Sequence, residues 1–199
     1  MSCLLGLKYG FIKEKIMKIK KILFVTRNEN KLKEAREILG SSFMVDSVDL
    51  DLFEIQAIDG QKVVESKIKE AYQKIGQPLI VEDNQLYFKA WNGLPGALIH
   101  WFLEAVGCEG ICKMMQDEKD RRVEAVVVIG YYNGTELEFF KGSIAGTISM
   151  EPRGEFKFGW DPIFIPKGYD QTFGEMGIEE KNKISMRRMA LELLKTKLT

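Results

Sequence analysis

Residues 21–40 read KILFVTRNENKLKEAREILG, and this stretch decides the fold. The apolar run Ile22-Leu23-Phe24-Val25 closes in a polar turn. Leu32, Ala35, Ile38 and Leu39 then recur at helical spacing up to Gly40, a residue type that ends helices. Strand, turn and helix in that order open an α/β sheet.

Working outward, residues 43–50 read as a second strand. Residues 61–75 read as a helix that carries Val63, Val64, Ile68, Ala71 and Ile75 and stops at Gly76-Gln77-Pro78. PLIVED at 78–83 predicts a strand ending in acid. LYFKAW, a turn-rich segment at 92–96 and helices near 98–106 and 109–116 follow. RVEAVVVIGYY, an Asn133-Gly134 turn and ELEFFKGSIAGTIS form the strongest hairpin signal, so an antiparallel region joins the α/β part. The tail holds GEFKFGWDPIFIP, a loop at 172–180 and a last helix from about Ser185, with Met189, Leu191, Leu193 and Leu194 as its apolar cover. Upstream, MKIKKILFVT beginning at Met17 looks like a natural chain start. Residues 1–16 therefore read as an extension and 17–199 as a single two-lobed domain.

Twenty-nine basic and 29 acidic side chains cancel over 199 residues, so nothing in the overall field calls for nucleic acid or an anionic membrane as a partner. No apolar run reaches the roughly 20 residues that span a bilayer, and the opening segment lacks a cleavage signal, which points to the cytoplasm. Cys3, Cys108 and Cys112 form no metal-binding or disulfide pattern and read as idle or buried thiols. His100, the single histidine, reads as packing or surface.

Three groups carry possible chemistry. Thr26, Asn28 and Lys31 sit at the strand-to-helix turn, where free backbone N–H groups and the helix dipole favour an anion; the alternative is that Asn28 or Asn30 caps the helix and Lys31 is solvated. Glu54, Glu82 and Asp83 supply the hard oxygen atoms that Mg²⁺ prefers, and Asp83 is also placed to orient or deprotonate a water. Phe158, Gly159, Trp160 and Asp161 offer an aromatic face for a base and a carboxylate for base or sugar, or else simply a packed strand end.

Taken in order, Thr26-x-Asn28-x-x-Lys31, Glu54, Lys67, Val81-Glu82-Asp83, Gly93-Leu94-Pro95-Gly96, Phe158-Gly159-Trp160-Asp161-Pro162 and Glu180-Lys181-Asn182 resemble the inosine triphosphate pyrophosphatase family over about residues 21–195. LPGALIHWFLEAVG and FGWDPIFIPKGYDQTFGEM each resemble long family segments. The resemblance implies an elongated two-lobed α/β protein with a nucleotide cleft between the lobes, a Mg²⁺ cofactor and a homodimer. It implies hydrolysis of purine nucleoside triphosphates between the α and β phosphates, with water as nucleophile.

Carried over by position, Thr26, Asn28 and Lys31 hold phosphates, Lys67 reaches the triphosphate, and Glu54 and Asp83 take the metal. Asp83, Lys67 and Lys31 are thus the catalytic candidates. Phe158 stacks on the base, with Gly159, Trp160, Asp161 and Lys181 around base and sugar, and Ser185, Met186 and Arg187 lie near the base, Arg187 as a donor to a 6-oxo group. Two departures stand out. Ser185-Met186-Arg187 replaces the family's Ser-His-Arg, and Asp83-Asn84-Gln85-Leu86 replaces Asp-Ser-Gly-Leu. They keep open a pyrophosphatase with another base preference and a nucleotide-binding protein without turnover.

Overall fold

The computed structural model describes residues 20–155 and 159–199. The extension expected at residues 1–16 and the stacking candidate Phe158 lie outside the described residues.

Seven strands form one mixed sheet in the order β2-β1-β3-β5-β6-β7, with β4 paired to β3. They are β1 Lys20–Val25, β2 Phe43–Val48, β3 Leu79–Phe88, β4 Pro95–Gly96, β5 Arg122–Tyr132, β6 Leu137–Ile148 and β7 Phe164–Pro166. β1 runs parallel to β2 and β3, and every other pairing is antiparallel. The helices are α1 Glu29–Leu39, α2 Gly60–Ile75, α3 Ile99–Met114, α4 Ile178–Ile184 and α5 Met186–Leu198. The expected α/β class with an antiparallel hairpin is therefore the observed one.

The two helices expected at 98–106 and 109–116 are both present within α3 and meet at Gly107, whose φ of 66° breaks the helical backbone between them. In α5 the cover differs from expectation. Ala190, Leu191 and Leu194 are fully buried, whereas Met189 and Leu193 are 41% and 51% exposed, because a period of 3.6 residues leaves those two outside the buried stripe.

A larger correction concerns β3. The strand does not end at Asp83 but continues unbroken to Phe88, so Glu82 and Asp83 lie at its middle. β1 pairs with β3 only at Leu23↔Leu79 and Phe24↔Ile80, and β4 only at Leu86 and Tyr87. Between these partners, residues 81–85 face the turn that follows β1.

Alternation along β3 sorts its side chains onto two faces. Ile80, Leu86 and Phe88 join the core with Leu32, Ala35 and Ile38 of α1 and Leu191 and Leu194 of α5. Leu79 and Val81 join Val64, Ile68 and Ala71 of α2 in a second core on the opposite face. Glu82 thus belongs to the α1/α5 face and Asp83 to the α2 face. Among the described residues no helix is long and apolar enough to cross a membrane.

Candidate functional site

A cavity of about 980 Å³ opens where β1 ends beside the middle of β3. The turn after β1 brings Thr26, Asn28 and Lys31 to it, the loop after β2 brings Glu54, α2 brings Lys67 and β3 brings Asp83, while Gly159 and Trp160 close another wall. Eight of the expected site residues, far apart in sequence, therefore line one space. His100 also lines it and is exposed, with its Nε2 3.4 Å from Glu104.

Asn28 is the N-cap of α1: its Oδ1 accepts the backbone N–H groups of Asn30 at 3.0 Å and Lys31 at 3.2 Å. Thr26 Oγ1 in turn accepts the N–H of Asn28 at 3.1 Å. The capping alternative thus holds for Asn28, and the cap fixes the positive end of the helix against the cavity. Lys31 is not solvated; its Nζ lies 3.1 Å from Glu82 Oε1.

Glu82 is a buried counter-ion. Arg187 grips it with Nε at 2.9 Å and Nη2 at 3.0 Å and reaches Glu34 with Nη1 at 2.6 Å. Burial by itself pushes the Glu82 carboxyl up, but Arg187 and Lys31 outweigh it and hold it at about 2. Asp83 shows the opposite balance. Burial raises it to about 6 against the pull of Lys67 and Lys31. Two adjacent acids thus differ in character because they stand on different faces of one strand.

Lys67 bonds Glu54, whose charge also acts on Asp83. Among the described residues no group of three or more histidine, cysteine, aspartate or glutamate side chains is gathered around a metal position. Glu54 and Asp83 both line the cavity, a lining compatible with Mg²⁺, which keeps several waters and is commonly held by one or two carboxylates plus substrate phosphates. A cation would also relieve the burial of Asp83.

Arg187, expected as a donor to the base, is instead bound to Glu82 and Glu34 and is 3% exposed. Ser185 caps α5, accepting the Arg188 N–H at 3.1 Å, and Met186 is buried in the core. Neither these three nor Asp161 and Lys181, expected around base and sugar, line the cavity. Trp160 is 2% exposed, edge-on to Phe164 with ring centroids 5.4 Å apart. Behind it, Lys181 Nζ meets Asp161 Oδ2 at 2.5 Å, while Asp161 Oδ1 is buried with no hydrogen-bond partner among the described residues. Burial raises the Asp161 carboxyl against the pull of Lys181.

Sequence reasoning missed Glu34 and Gln85. Glu34 stands three residues after Lys31, on the same helix face, which was the available signal. Gln85 shares the face of Asp83 two residues on. Cys108 and Cys112 are buried, and burial pushes the Cys108 thiol up to about 12, which leaves it inert.

Residues 22–197 match the sequence profile of the Ham1 family. The chain belongs to the Ham1 family. It is 44% identical over 174 residues to a protein from Methanopyrus kandleri named dITP/XTP pyrophosphatase, covering 86% of this chain and 93% of that one. It is 42% identical over 177 residues to one from Aspergillus fumigatus named inosine triphosphate pyrophosphatase, covering 88% and 92%. The Ham1 protein of Staphylococcus aureus superposes with a TM-score of 0.78 at 28% identity over 90% of this chain and 98% of that one. A HAM1 protein from Coxiella burnetii does so with 0.78 at 26% identity and the same coverage. The resemblance read from the motifs and the Ham1 fold thus agree.

Proposed function

We propose that the chain is a nucleoside triphosphate pyrophosphatase that hydrolyses ITP, dITP and XTP to the monophosphate and pyrophosphate with Mg²⁺, cleansing the nucleotide pool of the cytoplasm. The observation that carries this reading is the convergence of Lys31, Lys67, Glu54 and Asp83 on one cavity beside the N-terminus of α1. The names of the Methanopyrus and Aspergillus relatives support the substrate class.

In this reading the helix terminus, Thr26 and Asn28 receive the phosphate oxygens, and Lys31 and Lys67 neutralise their charge. Glu54 and Asp83 hold Mg²⁺, which when bound screens the polyphosphate and polarises its phosphoryl oxygens. The Asp83 carboxylate orients a water and takes its proton as the water oxygen bonds to the α phosphorus. The bond from that phosphorus to the α–β bridging oxygen breaks, and the electron pair leaves with pyrophosphate. Lys67 exchanges Glu54 for phosphate when substrate enters, a swap between two anions that keeps its charge paired.

The base belongs against Trp160, with the Asp161 carboxyl behind it. The Oδ1 of Asp161, without a hydrogen-bond partner among the described residues, is an acceptor, and hypoxanthine and xanthine present N1–H, whereas adenine N1 is itself an acceptor. A site whose buried group requires such a bond discriminates by roughly 10⁴. Discrimination against GTP, which shares N1–H, falls to its 2-amino group.

A panel of purine and pyrimidine nucleoside triphosphates with Mg²⁺, read as released pyrophosphate, tests the proposal. ITP and XTP at the head of the ranking support it. A pyrimidine at the head displaces the base assignment, and tight binding with no turnover displaces the enzyme. The homodimer is part of the same proposal and is measured by sedimentation equilibrium.

A further inference from the structure

Asp83, Gln85 and Tyr87 stand in a column on the α2 face of β3. Gln85 is 1% exposed, and its Nε2 donates to Asp83 Oδ2 at 3.1 Å. The Tyr87 hydroxyl donates to Gln85 Oε1 at 3.0 Å, the nearer of its two acceptors, the other being the Ile58 carbonyl at 3.3 Å. Polarity fixes the amide's direction: a carboxylate only accepts, so the NH₂ group faces Asp83 and the carbonyl faces the phenol.

The seat for this amide exists because residue 60 has no side chain. A Cβ at Gly60 would lie 1.8 Å from Gln85 Nε2 and 2.1 Å from its Cδ. Gly60 is also the first residue of α2, whose N-cap is Asp59, so the seat lies at the start of that helix. Gln85 thus contacts the Asp83 carboxylate, while Tyr87 and the space at Gly60 hold Gln85.

We propose that Gln85 is a positioning residue that holds the Asp83 carboxylate toward the cavity, itself seated by Tyr87 and by the space at Gly60. The inference rests on reading Asp83 as the acid of the site. Its content is that the carboxylate's rotation is settled before ligand arrives, so neither metal binding nor water activation bears the cost of ordering it. Partners of this kind typically contribute about 10–100-fold to metal affinity or activity.

The test compares the full chain with Gln85→Leu. Mn²⁺ affinity without nucleotide is measured by calorimetry, and kcat and KM for ITP at saturating Mg²⁺ are measured separately. We expect Mn²⁺ binding and kcat each to weaken about tenfold, with KM within about twofold. Tyr87→Phe, which removes one hydroxyl from a half-buried ring, moves the same two constants in the same direction and serves if Gln85→Leu does not fold. Gly60→Ala does so as well, and its effect shrinks in a Gln85→Gly background because the clash is gone. A Gln85 that merely packs lowers the melting temperature and leaves Mn²⁺ affinity unchanged. Equal Mn²⁺ affinity in the two proteins, including none in either, overturns the proposal. If the unaltered chain releases no pyrophosphate but binds Mn²⁺ more tightly than Gln85→Leu, the pyrophosphatase reading fails and the positioning role stands.

Discussion

Arg187 and Glu82, 105 residues apart in sequence, form a two-pronged ion pair with both side chains buried, and Glu34 takes a further nitrogen of the same guanidinium. The pair ties the start of α5 to the middle of β3 and to α1. Its placement removes Arg187 from the cavity wall and leaves Lys31, which shares Glu82, on that wall.

Deleting one half of this pair strands the other. Arg187→Met leaves Glu82 buried beside Lys31 alone, and we expect a loss of about 3–5 kcal/mol in stability, the usual cost of an uncompensated buried charge. Arg187→Lys recovers only part of it, because an ammonium cannot span both carboxylate oxygens. Urea denaturation of the three proteins checks the order.

The two acids give stability opposite pH dependences. Glu82 has its carboxyl lowered to about 2 in the fold, so its contribution is present above its ordinary value of 4.5 and is lost as pH falls toward 2. Asp83 is raised to about 6 from 3.8, so the fold binds its proton more tightly than the unfolded chain, and this acid costs stability as pH rises from about 4 to 6. Asp83→Asn should therefore be more stable than the parent at pH 7, by on the order of 2 kcal/mol, with the gain vanishing near pH 4. Thermal melts across that range measure it, and the same variant should lose at least about a hundredfold in turnover.

Metal dependence follows from the same carboxyl. Chelation should abolish pyrophosphate release, and Mg²⁺ should restore it. Protonation of Asp83 competes with the cation, so the apparent Mg²⁺ affinity should fall as pH drops through about 6, approaching about tenfold per pH unit below it. Titrations at pH 5, 6 and 7.5 would show an unchanged constant if Asp83 takes no part.

Lys67→Ala removes a phosphate partner and releases Glu54 from its ion pair. We expect kcat/KM for ITP to fall by about 10²-fold or more, with stability within about 1 kcal/mol, since exposed or half-exposed pairs contribute little to folding. Steady-state kinetics together with a melt separate the two effects.

Gly142 marks where α5 lies against β6. A Cβ there would meet the backbone oxygen of Met186 at 1.9 Å, and backbone has no rotamer to yield. Gly142→Ala should cost about 1–3 kcal/mol and also disturb the Arg187 anchor one residue on. Urea midpoints measure the first effect and turnover the second.

Much of the site was legible from residue type and order. The strand, turn and helix of residues 21–40 placed Thr26, Asn28 and Lys31 together, because a short apolar run followed by a capped helix allows little else. The acids were recognised, but the strand they stand on was cut short at Asp83. The polar run Glu82-Asp83-Asn84-Gln85 looks like a turn until buried partners are found for it, and those partners, Arg187 and Gly60, come from distant segments. The role first given to Arg187 depended on the same unknown, since a guanidinium in a motif does not announce which carboxylates will reach it.

The sequence by itself determined the family and the α/β class, because residue order and local periodicity are properties of neighbouring residues. Only the tertiary structure decided which of the two acids is sealed between α1 and α5 by Arg187 and which opens on the cavity beside Lys67. Burial and charge pairing depend on chain segments about a hundred residues away, and no local pattern encodes the distance between them.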